Sequence, residues 1–373
     1  MRVAVVTESF LPDVNGVANS VARVCEQAAS HGDEVLVIAP GPSPMLSYHG
    51  ATIVRVPGVR LASLSGLRLG WTTPQHLERI LEDFRPDVVH LASPFVLGSA
   101  GMRAARSLGL PVVAVYQTDV AGFASHYGFD ALAGVGATWT GRLHRKADVN
   151  LAPSRAAAAV LRSYDVPEVA VWGRGVDVER FAPERADPVL RAQWTAGGRV
   201  AVGFVGRLAP EKQANRLLGL LDDPRVQLVF IGDGPARVSL ERRAPGAHFT
   251  GMLTGDDLPR AMAALDIVVH TGENETFCQV IQEAHACGRP VIAPAVGGPL
   301  DLVVPGVTGD LYRPGDSDDL ITRVGALVAD ADARERMGAA ARRAVLTRTW
   351  PALYATLRGH YVRAIARART RVR

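Results

Sequence analysis

Residues 200–212, Val-Ala-Val-Gly-Phe-Val-Gly-Arg-Leu-Ala-Pro-Glu-Lys, decide the fold. Val200–Val205 is an unbroken run of apolar and small residues with no polar alternation, the pattern of a strand covered on both faces. Gly206 ends the run, and Arg207 and Lys212 follow beyond its carboxyl end. In open parallel sheets ligands bind past the carboxyl ends of the strands. Two cations placed there can clamp a diphosphate and neutralise it as it leaves. Arg forks onto two oxygens, whereas Lys is a compact point charge. The chain uses Arg almost throughout and has only two lysines, Lys146 and Lys212, so a lysine at 212 asks for a reason beyond a solvated charge. A surface ion pair of Lys212 with Glu211 is the plainer alternative.

Similar runs lie on either side. Downstream are Val226–Ile231, His248–Thr250, Ile267–His270 and Val291–Ala293; upstream are Val3–Val6, Val35–Ala39, Ile53–Val56, Val88–Leu91, Val112–Tyr116 and Asn150–Ala152. Helix-like stretches such as Gly16–His31, Gln75–Phe84 and Gly98–Leu108 separate them. The alternation predicts an α/β protein of parallel sheets with helices on both faces. A length of 373 residues suits two domains. Trp172–Pro183, with Gly173, Gly175 and Pro183, reads as the linker, giving domains 1–172 and 173–349. Two such doubly wound lobes facing each other would enclose a deep cleft.

Composition narrows the function. Arg336 to Arg373 holds ten arginines and no acid, so the remaining 31 basic residues face all 37 acidic ones and residues 1–335 carry −6. That balance argues against nucleic acid as a partner. No apolar run reaches about 18 residues, and the N-terminus, MRVAVVTESF, enters a strand without a signal peptide's features, which predicts a cytoplasmic protein. Cys25, Cys278 and Cys287 fit no metal spacing and predict reduced thiols.

Glu275–Glu283, ETFCQVIQE, is the second chemical signal. The spacing of eight is just over two helical turns. It places Glu275 in the loop at a helix start and Glu283 one to two turns inside. Glu283 can accept from ribose hydroxyls and Glu275 from sugar hydroxyls, with Thr276 and the N–H groups of Phe277 and Cys278 facing sugar or phosphate. Helix capping by Glu275 is the alternative. Gly232-Asp233-Gly234, after Val226–Ile231, can admit a base or ribose, though in isolation it reads as a simple turn. Gly297-Gly298-Pro299 reads as a turn, and His270 as a satisfied structural histidine. Asp316-Ser317-Asp318 has the Asp-x-Asp form of metal-dependent sugar transferases, but before a helix it reads as an N-cap, and no other carboxylate cluster suggests a metal. In the first half, Val3–Val6 is followed by TESFLPDVNGVAN, with Gly16 opening a helix where an anion can approach backbone N–H groups. The loop lacks the dinucleotide Gly-x-Gly-x-x-Gly fingerprint.

Taken together, Gly16, Gly206-Arg207 with Glu211-Lys212, Gly232-Asp233-Gly234 and Glu275…Glu283 resemble the retaining GT-B glycosyltransferases of family 4 across essentially the whole chain. MRVAVVTESFLPDVNGVANSV, Leu91–Pro94, Tyr116–Gly128 and Glu275–Ala284 resemble a narrower group, the GDP-mannose-dependent α-mannosyltransferases of bacterial phosphatidylinositol mannosides and related glycolipids. The resemblance implies that Gly16, Arg207 and Lys212 bind the diphosphate, Glu275 positions the hexose and Glu283 holds the ribose. It implies retention of configuration, with the phosphate helping to deprotonate the acceptor and no metal or other cofactor. It also implies that residues 350–373 cross back onto the first domain, which would carry the acceptor.

One position departs from the wider family: its histidine is Gln117 here, in Tyr116-Gln117-Thr118-Asp119. Gln can hydrogen-bond a sugar hydroxyl but carries no proton. Asp119 is a further candidate for sugar or acceptor, and nearby His126 is not promoted. The acid-free stretch Val35–Leu77 and the arginine-rich end can each lie on an anionic membrane, as a lipid-linked acceptor would require; a solvated loop and tail are the alternative. A sugar-nucleotide epimerase or hydrolase, a transferase using a UDP-sugar and a non-catalytic sensor are the competing functions. No residue in the sequence separates guanine from uracil.

Overall fold

The computed structural model describes residues 1–13, 15–61, 67–92, 94–118 and 130–371. The chain divides into two compact units, one of Met1–Arg174 with Trp350–Arg373 and one of Gly175–Thr349.

The first unit is built on a sheet of β1 (Arg2–Thr7), β2 (Glu34–Pro40), β3 (Ser47–Tyr48), β4 (Ala51–Val56), β7 (Val88–Ala92), β8 (Val112–Val115), β9 (Val149–Ala152) and β10 (Val169–Val171), in the order 10-9-8-7-1-2-4-3. All neighbours are parallel except β3 and β4. β5 (Gly58–Leu61) and β6 (Leu67–Gly70) form a separate antiparallel hairpin. The helices are α1 (Gly16–Ser30), α2 (Pro74–Phe84), α3 (Val96–Ser107), α4 (Asp130–His144) and α5 (Arg155–Ser163). Val3, Val5, Val35 and Val37 face one core, and Ala4, Val6, Leu36 and Ile38 face the other, so the strands read as apolar on both sides.

The second unit holds α6 (Pro188–Trp194), β11 (Val200–Val205), β12 (Val226–Ile231), α7 (Arg237–Arg243), β13 (His248–Gly251), α8 (Asp257–Ala263), β14 (Ile267–Val269), α9 (Gln279–Ala286), β15 (Val291–Pro294), β16 (Gly309–Tyr312), α10 (Ser317–Ala329) and α11 (Ala331–Val345). Its sheet is wholly parallel in the order 13-12-11-14-15-16, the doubly wound 3-2-1-4-5-6 arrangement. Strand order reverses between β11 and β14, so their carboxyl ends open a crevice there. Asp316 caps α10 by accepting from the Asp319 N–H at 2.9 Å, as its position before a helix predicts.

The chain returns to the first unit as α12 (Trp350–Arg371). Tyr354, Leu357, Tyr361 and Ala364 join the core that contains Val3 and Val5. Buried Asp33 fixes the helix by accepting from Tyr354 Oη at 2.8 Å and Arg358 Nη2 at 3.1 Å. The break between the two units, after Arg174, falls within the stretch 172–183 read as the linker, and that stretch is packed rather than exposed. Trp172, Arg174, Val176 and Phe181 are buried, and the Val176 N–H donates to the Arg348 carbonyl at 2.9 Å.

Candidate active site

The apolar run of β11 delivers Gly206, at φ 144, to the crevice between β11 and β14, and this conformation favours glycine. The loop then carries Arg207, and a short turn, Pro210–Lys212, carries Lys212. Arg207 Nη2 hydrogen-bonds Glu211 Oε1. Lys212 Nζ hydrogen-bonds Glu275 Oε1, which arrives after β14 from 63 residues away. The predicted surface alternative, Lys212 with Glu211, is replaced by this long-range pair.

Glu275 has a second neighbour. His270 follows β14, is buried, and places Nε2 at 3.4 Å from the same Oε1. Neither ring nitrogen has a well-formed hydrogen bond. Burial alone would raise the Glu275 pKa, but the Lys212 charge and His270 outweigh it and hold the carboxylate ionised well below its usual range. Burial opposes the charges on Lys212 and His270 as well, yet both are raised, Lys212 by Glu275 and His270 by Cys278 and Glu275. The expectation of a satisfied structural histidine is therefore corrected: His270 belongs to the same charged cluster.

Two glycine pairs hold this cluster. A Cβ on Gly297 would lie 2.6 Å from the Glu275 carbonyl oxygen, and one on Gly298 would lie 2.2 Å from that of Phe277. The Gly298 N–H donates to Glu275 O at 2.7 Å. What reads as a plain turn is thus the backbone clamp on residues 275–277. Likewise, a Cβ on Gly232 would lie 1.9 Å from Gly206 O, and one on Gly234 2.4 Å from Leu208 O. These glycines let two post-strand loops touch and so shape the loop bearing Arg207. Phe277 and Cys278 are buried, Thr276 is partly exposed, and Cys278 adopts φ 78 at the start of α9. Glu283 sits half-buried just over one turn inside α9, whose end is marked by Gly288 at φ 68.

His270, Glu275 and Cys278 place potential ligand atoms within 4.8 Å of one another, a set that sequence spacing did not reveal. These are ligand types that zinc accepts, and in this structure Lys212 bonds the carboxylate.

In the first unit Gly16 opens α1, where Asn15 Oδ1 accepts from the N–H groups of Val17 at 3.0 Å and Ala18 at 2.9 Å. A Cβ on Gly16 would lie 2.5 Å from Arg174 Nη1, so the glycine lets a buried guanidinium lie flush against the helix start. Arg174 Nη2 also donates to Oε1 of buried Gln117 at 3.2 Å. Sequence reasoning missed Arg174; its signal was an arginine between two glycines, Gly173 and Gly175. Asp119 and His126 lie outside the described residues.

Comparison with known proteins gives a consistent picture. Residues 14–180 match the model described as Glycosyltransferase Family 4, and residues 189–344 the model described as Glycosyl transferases group 1. A protein of Mycobacterium tuberculosis named GDP-mannose-dependent alpha-mannosyltransferase is 50% identical, covering 97% of this chain and 96% of its own. One of the same name from Corynebacterium glutamicum is 44% identical over 98% of this chain and 90% of its own. Among solved structures, Anabaena Alr3699/HepE in complex with UDP superposes with a TM-score of 0.78 at 19% identity, covering 96% of this chain and 99% of that one.

Proposed function

This chain belongs to the family 4 and group 1 glycosyltransferases, and from that membership we propose that it carries mannose from GDP-mannose to a membrane glycolipid or phosphoinositide acceptor. The name shared by the mycobacterial and corynebacterial relatives supports the donor. The observation that carries the chemistry is the Lys212–Glu275 pair beside Arg207 at the crevice between β11 and β14.

The mechanism follows from charge. The arriving diphosphate competes for Lys212 and Arg207, each of which otherwise rests on a carboxylate. Glu275, released from Lys212, turns to hexose hydroxyls while His270 keeps it ionised. Glu283 takes the ribose, and the α9 start with Thr276, Phe277 and Cys278 lines the donor. Gly16 offers backbone N–H groups to phosphate. As the glycosidic bond to phosphate breaks, the two cations stabilise the leaving GDP. The acceptor hydroxyl attacks on the same face and gives its proton to a phosphate oxygen, so configuration is retained. No protein base is required, and Gln117 orients a sugar hydroxyl where the wider family has histidine. The reaction proceeds without a metal, because Lys212 and Arg207 supply the charge a metal would bring.

No helix of the described residues is long and apolar enough to cross a membrane. We place the chain at the cytoplasmic face of the membrane, where a lipid-linked acceptor is reached. Of the two basic stretches, 35–77 is the better contact, with Val59 46% and Trp71 51% exposed. On α12, by contrast, Arg358, Arg367 and Arg371 pair with Asp33, Glu168 and Asp148 of the same unit.

A donor screen with and without lipid extract tests this reading. GDP-mannose should be consumed fastest and only with lipid present. Faster turnover of a UDP-sugar would refute the donor, and equal turnover without lipid would make the protein a hydrolase.

A further inference from the structure

The second unit contains a cavity of about 540 Å³ at the amino ends of β14 and β15. Asp266, which enters β14, and Arg289 and Pro290, which enter β15, form one wall. Arg334, Arg342 and Arg343 of α11 form the other. Arg207, Lys212 and Glu275 lie past the opposite, carboxyl ends of the same sheet, so this cavity is separate from the donor site. α9 runs between the two, from Cys278 at the donor end to Gly288 at the cavity.

The charge here is unbalanced. Among the described residues none of these four arginines forms an ion pair with a carboxylate, whereas Arg207, Arg216, Arg237, Arg323 and Arg358 each do. Asp266 is already committed to Arg191 Nη2 at 2.7 Å and the Ala201 N–H at 2.8 Å. Glu335 is the other carboxylate on the wall, and it is exposed. Arg342 donates to the carbonyls of Phe181, Ala286 and Val178, and Arg334 to those of Leu327 and Val328. Those bonds tie down helix ends, a structural use that leaves both positive charges in place.

No such use explains the remaining two. Arg289 is mostly buried and its Nε has no hydrogen-bond partner. Burial, reinforced by the charge of Arg191, outweighs the opposing pull of Asp266 and Cys287 and draws its pKa below the ordinary arginine value. Arg343 stands exposed at the rim. A partly buried cation whose neighbouring carboxylate, Asp266, is already bonded to Arg191 is left under-compensated, a free-energy cost that an arriving anion returns. Guanidinium groups bind phosphate bidentately, and the volume suits a small organic ligand.

We propose that this cavity is a second ligand site, taking a soluble phosphate-bearing small molecule of the sugar-phosphate class. The phosphate is held by Arg289 and Arg343 and the polar body lies along α11.

Titration calorimetry with glucose 6-phosphate, glucose and inorganic phosphate tests the site on the full chain. Wild-type protein should bind glucose 6-phosphate and not glucose. Arg289→Gln and Arg343→Gln should each weaken that binding at least tenfold, while Lys212→Ala should leave it unchanged. If Arg289→Gln fails to fold, Arg343→Glu at the exposed rim reads the same contact. Equal affinity in wild type and the Arg289 and Arg343 variants would overturn the proposal, as would loss of binding in Lys212→Ala. Vesicles of phosphatidic acid in phosphatidylcholine provide a second arm. Binding that depends on Arg343 but appears with vesicles alone, and never with the soluble phosphates, would also overturn it.

Discussion

Lys212 is one of two lysines in the chain, and its ammonium meets a carboxylate that also faces a buried histidine. His270 titrates above its ordinary value because Cys278 and Glu275 outweigh the cost of burial. A raised histidine pKa contributes stability that is fully present below its unfolded value near 6.5 and is lost as pH rises through the folded value. His270→Gln should therefore be destabilised at pH 6, with the deficit shrinking as pH rises toward 10; thermal midpoints across that range check it, and a constant deficit would show that His270 acts only by packing. Arg207, Lys212 and Glu275 were nominated from the sequence because each follows a strand, and Glu283 because it lies eight residues after Glu275, inside the helix that follows. The company of His270 was not legible there, since Lys212 comes from the loop after another strand. Arg174 was hidden for the same reason: Gln117 is 57 residues away and the start of α1 further still.

Glycines and caps set the elements around the site. Gly298 approaches the Phe277 carbonyl so closely that any Cβ must push the clamp apart. Gly298→Ala should cost at least about 2 kcal/mol of stability and raise KM for the donor, measured by denaturant unfolding and steady-state kinetics. In the first unit, α3 has no side-chain cap of its own. Glu8, at the end of β1, supplies one by accepting from the N–H groups of Leu97, Gly98 and Gly70. Burial is the largest influence on Glu8 and lifts its pKa from 4.5 to about 7 despite these bonds. The folded state thus holds a proton that the unfolded chain releases, and this group's contribution to stability falls as pH rises from 4.5 to 7. The stability of wild type minus Glu8→Gln should drop by up to about 3 kcal/mol over that window; a flat difference would mean that Glu8 is ionised throughout. The strands could be read from sequence because cover on both faces removes polar alternation. The Glu8 cap could not, because it joins residues 89 apart. The β5–β6 hairpin was passed over because its alternating arginines and leucines drew a membrane-surface reading, although Ser65-Gly66 is a turn signal.

At the scale of the molecule, the chain builds one doubly wound unit, then another, and returns to the first through α12. That return accounts for three of the ten arginines of the basic C-terminus, since Arg358, Arg367 and Arg371 answer acids of the first unit. The arginine excess read either as a membrane-facing or as a solvated tail; pairing with distant acids has no signature in local charge. Contact with an anionic bilayer should accordingly depend on the acid-free stretch: Trp71→Ser should weaken sedimentation with phosphatidylglycerol vesicles severalfold, and unchanged sedimentation would exclude this face.

The central claim is that two cations after β11 stabilise a departing nucleoside diphosphate without a metal. Its most direct test is acceptor-dependent release of GDP from GDP-mannose in excess EDTA, by wild type, Arg207→Ala and Lys212→Ala, with thermal unfolding of each alongside. Wild type should keep its rate in EDTA, and each variant should lose on the order of 10²–10³ in kcat while remaining folded. Wild-type activity that vanishes in EDTA and returns with magnesium, or variants that turn over at the wild-type rate, would contradict the account.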